Sequence, residues 1–405
     1  MKVCVIGGGA SGMVASLMIA KKGHKVILLE KNEKLGKKIY ITGKGRCNVT
    51  NAVTGNEFLV NVVRNPKFIM SSEIRFNSSD TMALFEELGV PLKIERGNRV
   101  FPVSDKASDI TKALEKGLKR YGVDIRLNSN VEKIIVENQE VKGVVVNSEN
   151  IYAEAVIVAT GGLSYQATGS TGDGYKFAQS VGHKIIETVP SLVSIEIKNA
   201  YKDLSGLSLK NVVLSARQND KLIFKSDIGE MLFTANGISG PLVLTLSSKI
   251  NRISDENIKI FIDFKPALTD FALFQRIERD IVSLKSKQIS SLLEGLLPKA
   301  LVDVFCLKLK IKRDKKVSQL TSEERKNLVY ILKNFDLDFH KLDSIERAVV
   351  TSGGVDVKEI KPKSMESKLV KRLYFIGEVL DVDALTGGFN LQIAFSTACS
   401  CASDF

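Results

Sequence analysis

The first thirty residues limit the fold of this chain more than any other segment. Residues 2–6 form a short apolar run, and a predicted helix covers about 11–22. Between them, three glycines have the spacing G-x-G-x-x-G: Gly7, Gly9 and Gly12. This order predicts a buried parallel strand, a tight turn, and a helix whose N-terminal N–H groups face a pyrophosphate. Gly9 would let the backbone approach the phosphates, and Gly12 would let the helix pack closely on the strand.

A second strand and a carboxylate complete this unit. Gly23 ends the predicted helix, residues 25–29 form the next predicted strand, and Glu30 stands at its end. A carboxylate at this position accepts hydrogen bonds from both ribose hydroxyls of an adenine dinucleotide and disfavours a 2′-phosphate. A glycine-rich structural turn is the alternative interpretation. Strand, glycines, helix, strand and acid in this order favour the dinucleotide site.

The length and composition indicate a globular protein. With 405 residues, of which 44% are hydrophobic, the chain can form two or three domains with full cores. It contains no run of the about 18 to 20 apolar residues that a membrane span needs, and its apolar N-terminus is used as a strand, so we expect a cytoplasmic protein. The five cysteines and three histidines show no metal-ligand spacing, so no metal site is expected.

The net charge of +12 raises the question of a nucleic-acid partner. The lysines are scattered, apart from a basic run over residues 308–316 that has no interleaved aromatic residues. Such a run favours a solvated surface over a nucleic-acid patch, which stays open as the second interpretation.

The segment 31–51 is predicted to be a loop that contacts the cofactor. It is too rich in glycine and polar residues for a regular element, and glycines alternate with cations up to Arg46. Mobile backbone and positive charge together suit the second side of a pyrophosphate, whereas a plain surface loop is the alternative. For Cys47, structural packing is favoured over an activated thiol because no resolving cysteine accompanies it.

Two further segments are expected near this site. Residues 155–162 predict another buried parallel strand ending in a glycine turn, so Thr160 and Gly161 would lie at the same sheet edge as Gly7. Residues 123–127, 131–137 and 141–146 predict a meander laid on the main sheet. In flavoproteins with two dinucleotide folds, the first residue of such a strand commonly contacts adenine through its backbone, which would place Val131 there.

The end of the chain is predicted to return to the first site. Residues 373–378 form a buried strand that ends in Glu378, and a helix begins near Gly388. FAD is long, so its adenosine end would lie on the first unit while a distant strand end and helix hold its ribitol and ring. Glu378 would bind ribitol hydroxyls, and the N–H groups of residues 388–391 would stabilise negative charge on the reduced ring. Two unrelated glycine turns are the alternative.

Seven motifs in this sequence resemble those of the BaiN/YhiN-type flavoproteins, some of which are described as aminoacetone oxidases. The motifs are the segments 43–51, 101–108, 159–165, 168–175, 239–241, 377–383 and 386–392. The resemblance covers nearly the whole chain, with Gln166 standing where the family has proline. It implies noncovalent FAD, a core of the two-dinucleotide type, and an inserted β-domain plus helical lobe over the flavin.

The predicted fold class is therefore α/β, a Rossmann-like FAD domain with an inserted β-barrel-like domain and a helical lobe. The predicted FAD-binding domain covers 1–190 plus 345–405, the β-rich substrate domain 191–266 plus about 336–344, and the helical lobe 267–335. The predicted cofactor-binding residues are Gly7, Gly9, Ser11, Gly12, Glu30, Lys31, Lys38, Gly45, Arg46, Cys47, Asn48, Val131, Thr160, Gly161, Glu378, Gly388, Phe389, Asn390 and Leu391.

The predicted activity is hydride transfer between flavin N5 and a small organic substrate, with no catalytic acid or base assigned. Only one dinucleotide fingerprint is present, so NAD(P)H would bind transiently as a co-substrate. Enone reduction and amine oxidation with O₂ both remain open. A flavin-containing RNA-binding or RNA-modifying protein is the alternative from another class, and the oligomeric state is not predicted.

Overall fold

Two units of strands and helices make up residues 1–254 and 257–405, the part of the chain that this computed structural model describes. One unit contains residues 1–191 and 344–405, and the other contains residues 192–343. Asp255 and Glu256, within the predicted range 191–266, lie outside the described residues. The predicted domain functions and the separate helical lobe stay predictions.

The strands are numbered along the chain. They are β1 (Lys2–Ile6), β2 (Lys25–Leu29), β3 (Thr50–Asn51), β4 (Leu92–Glu95), β5 (Arg99–Pro102), β6 (Asp124–Arg126), β7 (Val131–Glu137), β8 (Glu140–Val146), β9 (Glu149–Tyr152), β10 (Ala155–Val158), β11 (Ile185–Ser191), β12 (Ile195–Ile197), β13 (Ser208–Gln218), β14 (Lys221–Lys225), β15 (Gly229–Thr234), β16 (Gly237–Ser239), β17 (Ile258–Asp263), β18 (Phe335–Leu342), β19 (Val350–Val355) and β20 (Leu373–Phe375).

The α-helices follow the same convention. They are α1 (Ala10–Lys21), α2 (Lys37–Ile41), α3 (Gly55–Leu59), α4 (Pro66–Arg75), α5 (Ser78–Glu87), α6 (Ala107–Arg120), α7 (Asp173–Ser180), α8 (Pro241–Ile250), α9 (Asp270–Ser283), α10 (Ile289–Glu294), α11 (Val302–Leu309), α12 (Ser322–Lys333) and α13 (Phe389–Ala402). None of the helices in the described residues is long and apolar enough to cross a bilayer.

A parallel sheet with the strand order β20-β10-β1-β2-β6 forms the centre of the first unit. Its middle strands are apolar without alternation, and both of their faces are buried, as parallel sheets require. Helices α1 and α13 pack against each other beside the sheet. Both helices are buried on nearly every side, so neither shows the polar face of a surface helix. The predicted Rossmann-type fold is confirmed.

Two expectations about strands in this unit were wrong. Strand β6 pairs in parallel with β2 at the edge of the central sheet, so the meander consists of β7, β8 and β9 instead. The sequence of residues 348–358, with apolar residues on both sides of Gly353 and Gly354, by itself predicts strand, turn and strand, but β19 continues through both glycines. A Cβ at Gly354 would lie 2.5 Å from the carbonyl oxygen of Val379, so this glycine permits a close backbone approach rather than a turn.

Two helices occur where none was expected. Helix α2 lies in the predicted loop 31–51 and buries Ile39, while Leu35 is buried just before the helix begins. Helix α8 interrupts the strand-rich segment, begins with Pro241 at its first turn and buries Val243 and Leu246. In α8, a short apolar repeat at helical spacing outweighs the surrounding composition.

In the second unit, seven strands form one antiparallel sheet with the order β14-β13-β15-β16-β12-β18-β17. Strand β13 also pairs with β17, which closes six of these strands into a ring. Helices α9 to α12 share the apolar core of these strands, and the rings of Phe264, Phe305 and Phe335 lie within 5.4 to 5.6 Å of each other. Aromatic pairs at this separation stabilise a core beyond their buried area.

A buried histidine joins two segments of the first unit. The Nδ1 atom of His183 lies 3.0 Å from Glu359 Oε2, and its Nε2 atom lies 2.7 Å from Ser367 Oγ. Ser367 Oγ already accepts the N–H groups of Leu369 and Val370, so its own proton donates to Nε2. The ring is therefore neutral, with its proton on Nδ1. Burial lowers the pKa of His183, and the opposing effect of Glu359 does not cancel it.

We expect His183 to make stability fall at acid pH. Its pKa is lower in the folded than in the unfolded chain, so the unfolded chain binds the extra proton. This contribution is complete above about pH 6.5 and is lost as the pH falls from there towards the folded pKa. Thermal unfolding from pH 8 to pH 5 should show a weaker pH dependence in His183→Gln than in the wild type. The exposed His340→Gln is the control, and equal slopes for wild type and His183→Gln would contradict the assignment.

Candidate functional site

The first, middle and last segments of the chain meet at the carboxyl edge of the central sheet. Because β1, β10 and β20 are parallel, Gly7, Ala159 and Gly377 follow them at the same edge. A Cβ at Gly7 would lie 2.5 Å from the carbonyl oxygen of Ala159, and one at Gly377 would lie 2.6 Å from Ser11 Oγ. Contacts this short exclude any side chain. The predicted site residues Gly7, Ser11 and Gly161 therefore lie in one region.

The N-terminus of α1 opens at this edge. Gly9 is the residue before the helix, and no side chain caps the first turn, which also contains no acidic residue. A Cβ at Gly12 would lie 1.9 Å from the Gly7 carbonyl oxygen, whereas a Cβ at Gly9 would meet no atom within 4 Å. The helix thus packs tightly on the strand but leaves space in front of its free N–H groups. This backbone fits a pyrophosphate.

Glu30 is buried at the end of β2. One carboxylate oxygen accepts from the backbone N–H of Gly8 at 2.7 Å, and the other accepts from Asn32 N at 2.8 Å and Nδ2 at 2.6 Å. A carboxylate has about four acceptor sites, so one remains for a ribose hydroxyl. Ser129 N donates to the Glu30 carbonyl at 2.9 Å, which places the buried Val131 in the same neighbourhood. Their contacts with ribose and adenine stay predictions.

A polar network joins Lys38 to Glu378. Lys38 Nζ donates to Glu378 Oε2 and to Ser164 Oγ, both at 2.6 Å. Glu378 Oε1 accepts from Ser164 Oγ at 2.8 Å and from Thr351 N at 2.9 Å. Burial alone would raise the pKa of Glu378, but the charge of Lys38 and these hydrogen bonds outweigh it and hold the pKa below its usual range. Glu378 is therefore a carboxylate with a fixed orientation.

The predicted cations Lys31 and Arg46 are paired within the protein. Lys31 Nζ lies 2.7 Å from Asp173 Oδ2 and also bonds to Thr171. Arg46 forms ion pairs with Glu95 and Asp105 and lies over the ring of Phe101 at 4.2 Å. Their carboxylate partners neutralise both charges locally. Their contacts with phosphate groups stay predictions.

The predicted site residues that adjoin Arg46 and Gly161 in the chain differ in burial and in hydrogen bonding. Gly45 is exposed, and Cys47 is fully buried, which raises the pKa of its thiol to about 12. This favours packing over reactivity for Cys47. Asn48 Oδ1 and Thr160 Oγ1 are buried and have no hydrogen-bond partner among residues 1–254 and 257–405. Buried polar atoms without a partner are uncommon, so these two are suited to meet a bound group.

The N-terminus of α13 also lies in this unit. Gly388 precedes the helix, and no side chain caps its first turn. The Asn390 side chain donates to the carbonyls of Ala384 and Leu385 and accepts from Ala384 N, so it holds the preceding loop rather than facing outwards. Phe389 is buried, and Leu391 is partly buried against the core.

Sequence reasoning missed two residues that hold α13 in place. Gln392 is fully buried and accepts from the hydroxyls of Thr50 at 2.6 Å and Thr81 at 2.8 Å. Asn51 Nδ2 donates to the carbonyl of Gly387 at 3.1 Å. Both stand at the ends of the motifs 43–51 and 386–392, which was the available signal.

Two further carboxylates were also missed. Asp381 forms a two-point ion pair with Arg64 at 2.7 and 2.8 Å. Asp383 is buried and accepts from Ser191 Oγ at 3.0 Å. Burial raises the pKa of Asp383 to about 6, against the effect of its hydrogen bonds and of Arg64. Carboxylates inside an otherwise apolar segment were the signal for both.

Comparisons with known proteins show the family of this chain. A family model described as the HI0933-like protein Rossmann domain matches residues 1–404. A ribosomal RNA dihydrouridine synthase of Haemophilus influenzae is 34% identical over 405 residues, which cover 98% of this chain and 96% of that protein. A 3-dehydro-bile acid delta(4,6)-reductase of Clostridium scindens is 31% identical over 405 residues, and the match covers 98% of this chain and 97% of that protein.

A solved structure shares the fold at low sequence identity. The 3-ketosteroid-delta4-(5alpha)-dehydrogenase of Rhodococcus jostii is 13% identical, with a TM-score of 0.51 over 99% of this chain and 96% of that one. The family match spans almost every residue, and both relatives are matched over nearly their whole length. The resemblance to BaiN/YhiN-type flavoproteins is confirmed, and the chain belongs to the HI0933-like family of FAD-dependent oxidoreductases with a Rossmann-type domain.

Proposed function

We propose that the first unit holds FAD noncovalently along the carboxyl edge of its sheet. The N-terminus of α1 would bind the pyrophosphate, and Glu30 would bind the ribose of the adenosine. Glu378, oriented by Lys38, would accept from the ribitol hydroxyls, and the N-terminus of α13 would lie near the ring. The N-terminus of α1 carries this assignment, because it lies at the carboxyl edge of the sheet with open space at Gly9 and leaves several backbone N–H groups for an anionic ligand, and the uncapped N-terminus of α13 lies in the same unit. When bound, FAD supplies hydride transfer.

The reaction that we propose is reduction of a carbon–carbon double bond conjugated to a carbonyl group. Uracil in RNA has such a bond between C5 and C6, and a 3-keto steroid with 4,6 unsaturation has two. The names of the two relatives thus describe one bond type in two different molecules. In the net reaction NAD(P)H is oxidised as it gives up a hydride, which the carbon β to the carbonyl receives. The α-carbon takes a proton from water, and two C–H bonds replace the π bond.

Uridine in ribosomal RNA is the substrate that we favour. The net charge of +12 suits a polyanionic substrate better than a small sterol acid. The synthase relative also matches nearly its full length. A small enone is the second candidate, supported by the reductase that is 31% identical over a similar span. Amine oxidation gains no support from either relative.

The test is anaerobic and follows the flavin absorbance of the purified protein. NADH or NADPH is added first, and the reduced protein is then mixed with protein-free ribosomal RNA that lacks dihydrouridine or with a 3-keto-4,6-diene steroid. Aminoacetone is mixed separately with the oxidised protein, without NAD(P)H. We expect RNA to restore the oxidised spectrum, with dihydrouridine found by mass spectrometry of the digested RNA. Reoxidation by the steroid alone would support the second candidate. Bleaching of the oxidised flavin by aminoacetone would contradict both.

Two glycine substitutions distinguish an effect on the pyrophosphate site from an effect on the stability of the fold. In Gly9→Ala the new methyl group meets no protein atom within 4 Å, so the melting temperature without cofactor should stay within about 1 °C of the wild type. Its affinity for FAD should fall at least about tenfold because the methyl group occupies the space of a phosphate. In Gly12→Ala the methyl group would lie 1.9 Å from the Gly7 carbonyl, so the fold itself should lose stability. Undiminished FAD binding in Gly9→Ala would place the pyrophosphate elsewhere.

Replacement of Glu30 tests the adenosine end. Glu30→Ala removes a charged acceptor, so we expect FAD affinity to fall about 10- to 100-fold, in line with the about 1.5–3 kcal/mol of such a bond. Titration of the cofactor-free protein by fluorescence quenching measures this. Glu154→Ala is the matched control, because Glu154 also accepts a backbone N–H group, that of Lys2, at the opposite end of β1. An equal loss in both variants would point to a general effect on the fold.

A further inference from the structure

We propose that an exposed basic surface on the first unit binds the phosphodiester backbone of the RNA that presents the substrate uridine. This surface, the basic rim, consists of Lys44, Arg96, Arg99 and Lys106, which are all exposed. The inference rests on the proposed function and adds a binding surface to it.

Two of these cations stand at a tight hairpin turn. Strands β4 and β5 pair up to Glu95 and Arg99, and Gly97 and Asn98 adopt left-handed φ angles of 76° and 57° between them. Glycine and asparagine are the residues that accept this conformation at least cost. Arg99 Nε donates to the Arg96 carbonyl at 3.1 Å, so the turn holds both arginines close together.

Carboxylates in the hairpin and just after it do not neutralise the rim. Asp105 accepts from Arg46 at 2.6 Å and from Lys93 at 2.7 Å, and Glu95 also pairs with Arg46. Throughout residues 1–254 and 257–405, no ion pair involves a member of the basic rim. The two acids are thus held by the half-buried cations Arg46 and Lys93, and the rim keeps its full charge.

The hairpin is connected directly to the site. Asn51 Nδ2 donates to the Gly97 carbonyl in the turn and to the Gly387 carbonyl before α13, each at 3.1 Å. Strand β3 also pairs with β5, at Thr50 with Val100 and at Asn51 with Arg99. One buried side chain therefore separates the hairpin turn from the loop that begins α13. A polynucleotide on the rim would lie beside the end of the site proposed to hold the flavin ring.

The basic run over residues 308–316 is less suited to this role. Lys308 pairs with Asp336 at 2.5 Å, Arg313 with Asp303 and Lys315 with Glu324 at 2.6 Å. Half of its six cations are thus locally neutralised. Lys310 and Lys312 are exposed and form no ion pair within the described chain, which makes them a matched control.

Arginine suits the proposed ligand. Its planar guanidinium group binds two phosphate oxygens at once, and such contacts position a nucleic acid without reading its sequence. Each phosphate contact releases counterions, so binding weakens as salt rises, with a slope that counts the contacts. The rim should therefore supply affinity for structured RNA, while base recognition occurs at the flavin.

The experiment compares two double variants. One carries Arg96→Gln together with Arg99→Gln, and the other carries Lys310→Gln together with Lys312→Gln. Both double variants lose two positive charges. The probe is protein-free ribosomal RNA from a Haemophilus influenzae strain without its own synthase, and binding is measured by filter retention at several salt concentrations. The wild type and the lysine variant should share one salt slope. The arginine variant should bind at least about tenfold more weakly, with a slope reduced by about 1.5 to 2.

Two further measurements distinguish a failure of the rim proposal from a failure of the proposed function. FAD occupancy and flavin bleaching by NAD(P)H should be equal in all three proteins, and dihydrouridine formation should slow in the arginine variant through a higher KM. If the wild type forms dihydrouridine and the arginine variant keeps the same affinity and slope, the rim proposal is overturned and the proposed function stands. If the wild type forms none and binds RNA no better than the arginine variant, the RNA substrate itself is refuted.

Discussion

Close approach of the backbone at the carboxyl edge of the central sheet is the constraint on which the site depends. Gly7 lies against the chain after β10, Gly12 lies against Gly7, and Gly377 lies against Ser11. Any side chain at these positions would push the three segments apart, because a packed interior cannot absorb a new methyl group without strain. The same contacts leave the first turn of α1 uncovered at Gly9. A helix N-terminus carries about half a unit of positive charge, so tight packing and anion binding arise from one arrangement.

The pKa of each buried carboxylate in this unit depends on whether a cation bonds to it directly. Glu378 and Asp383 stand five residues apart in one segment, yet their pKa values shift in opposite directions. Burial acts on both, but Lys38 bonds directly to Glu378, whereas Arg64 bonds directly to Asp381 and reaches Asp383 only as a more distant charge. An ionised carboxylate and a carboxyl group that titrates near neutrality thus lie in the same loop.

The cations of this unit also differ in whether they have a carboxylate partner. Lys31 and Arg46 stand near the glycine motifs, but each has a carboxylate partner within the protein. For the proposed cofactor, positive potential would therefore come from backbone N–H groups and helix N-termini. The cations of the basic rim have no such partners and remain available for a larger anion. In our proposals, this division separates the groups that would hold a cofactor from those that would attract a macromolecule.

The sequence by itself determined the Rossmann-type fold and its family, because these depend on local signals: apolar runs, glycines at fixed spacing and an acid at a strand end. It also indicated the segments that meet, since parallel strands bring Gly7, Gly161 and Gly377 to one edge. It did not predict helix α8 within a strand-rich segment, nor the straight course of β19, because an apolar repeat and a close contact with Val379 decided these. Only the tertiary structure decided the partners of Arg46, the burial of Asp383 and the position of Asn51 between the hairpin and α13. Such pairings join residues that are distant in the chain, so no local pattern in the sequence records them.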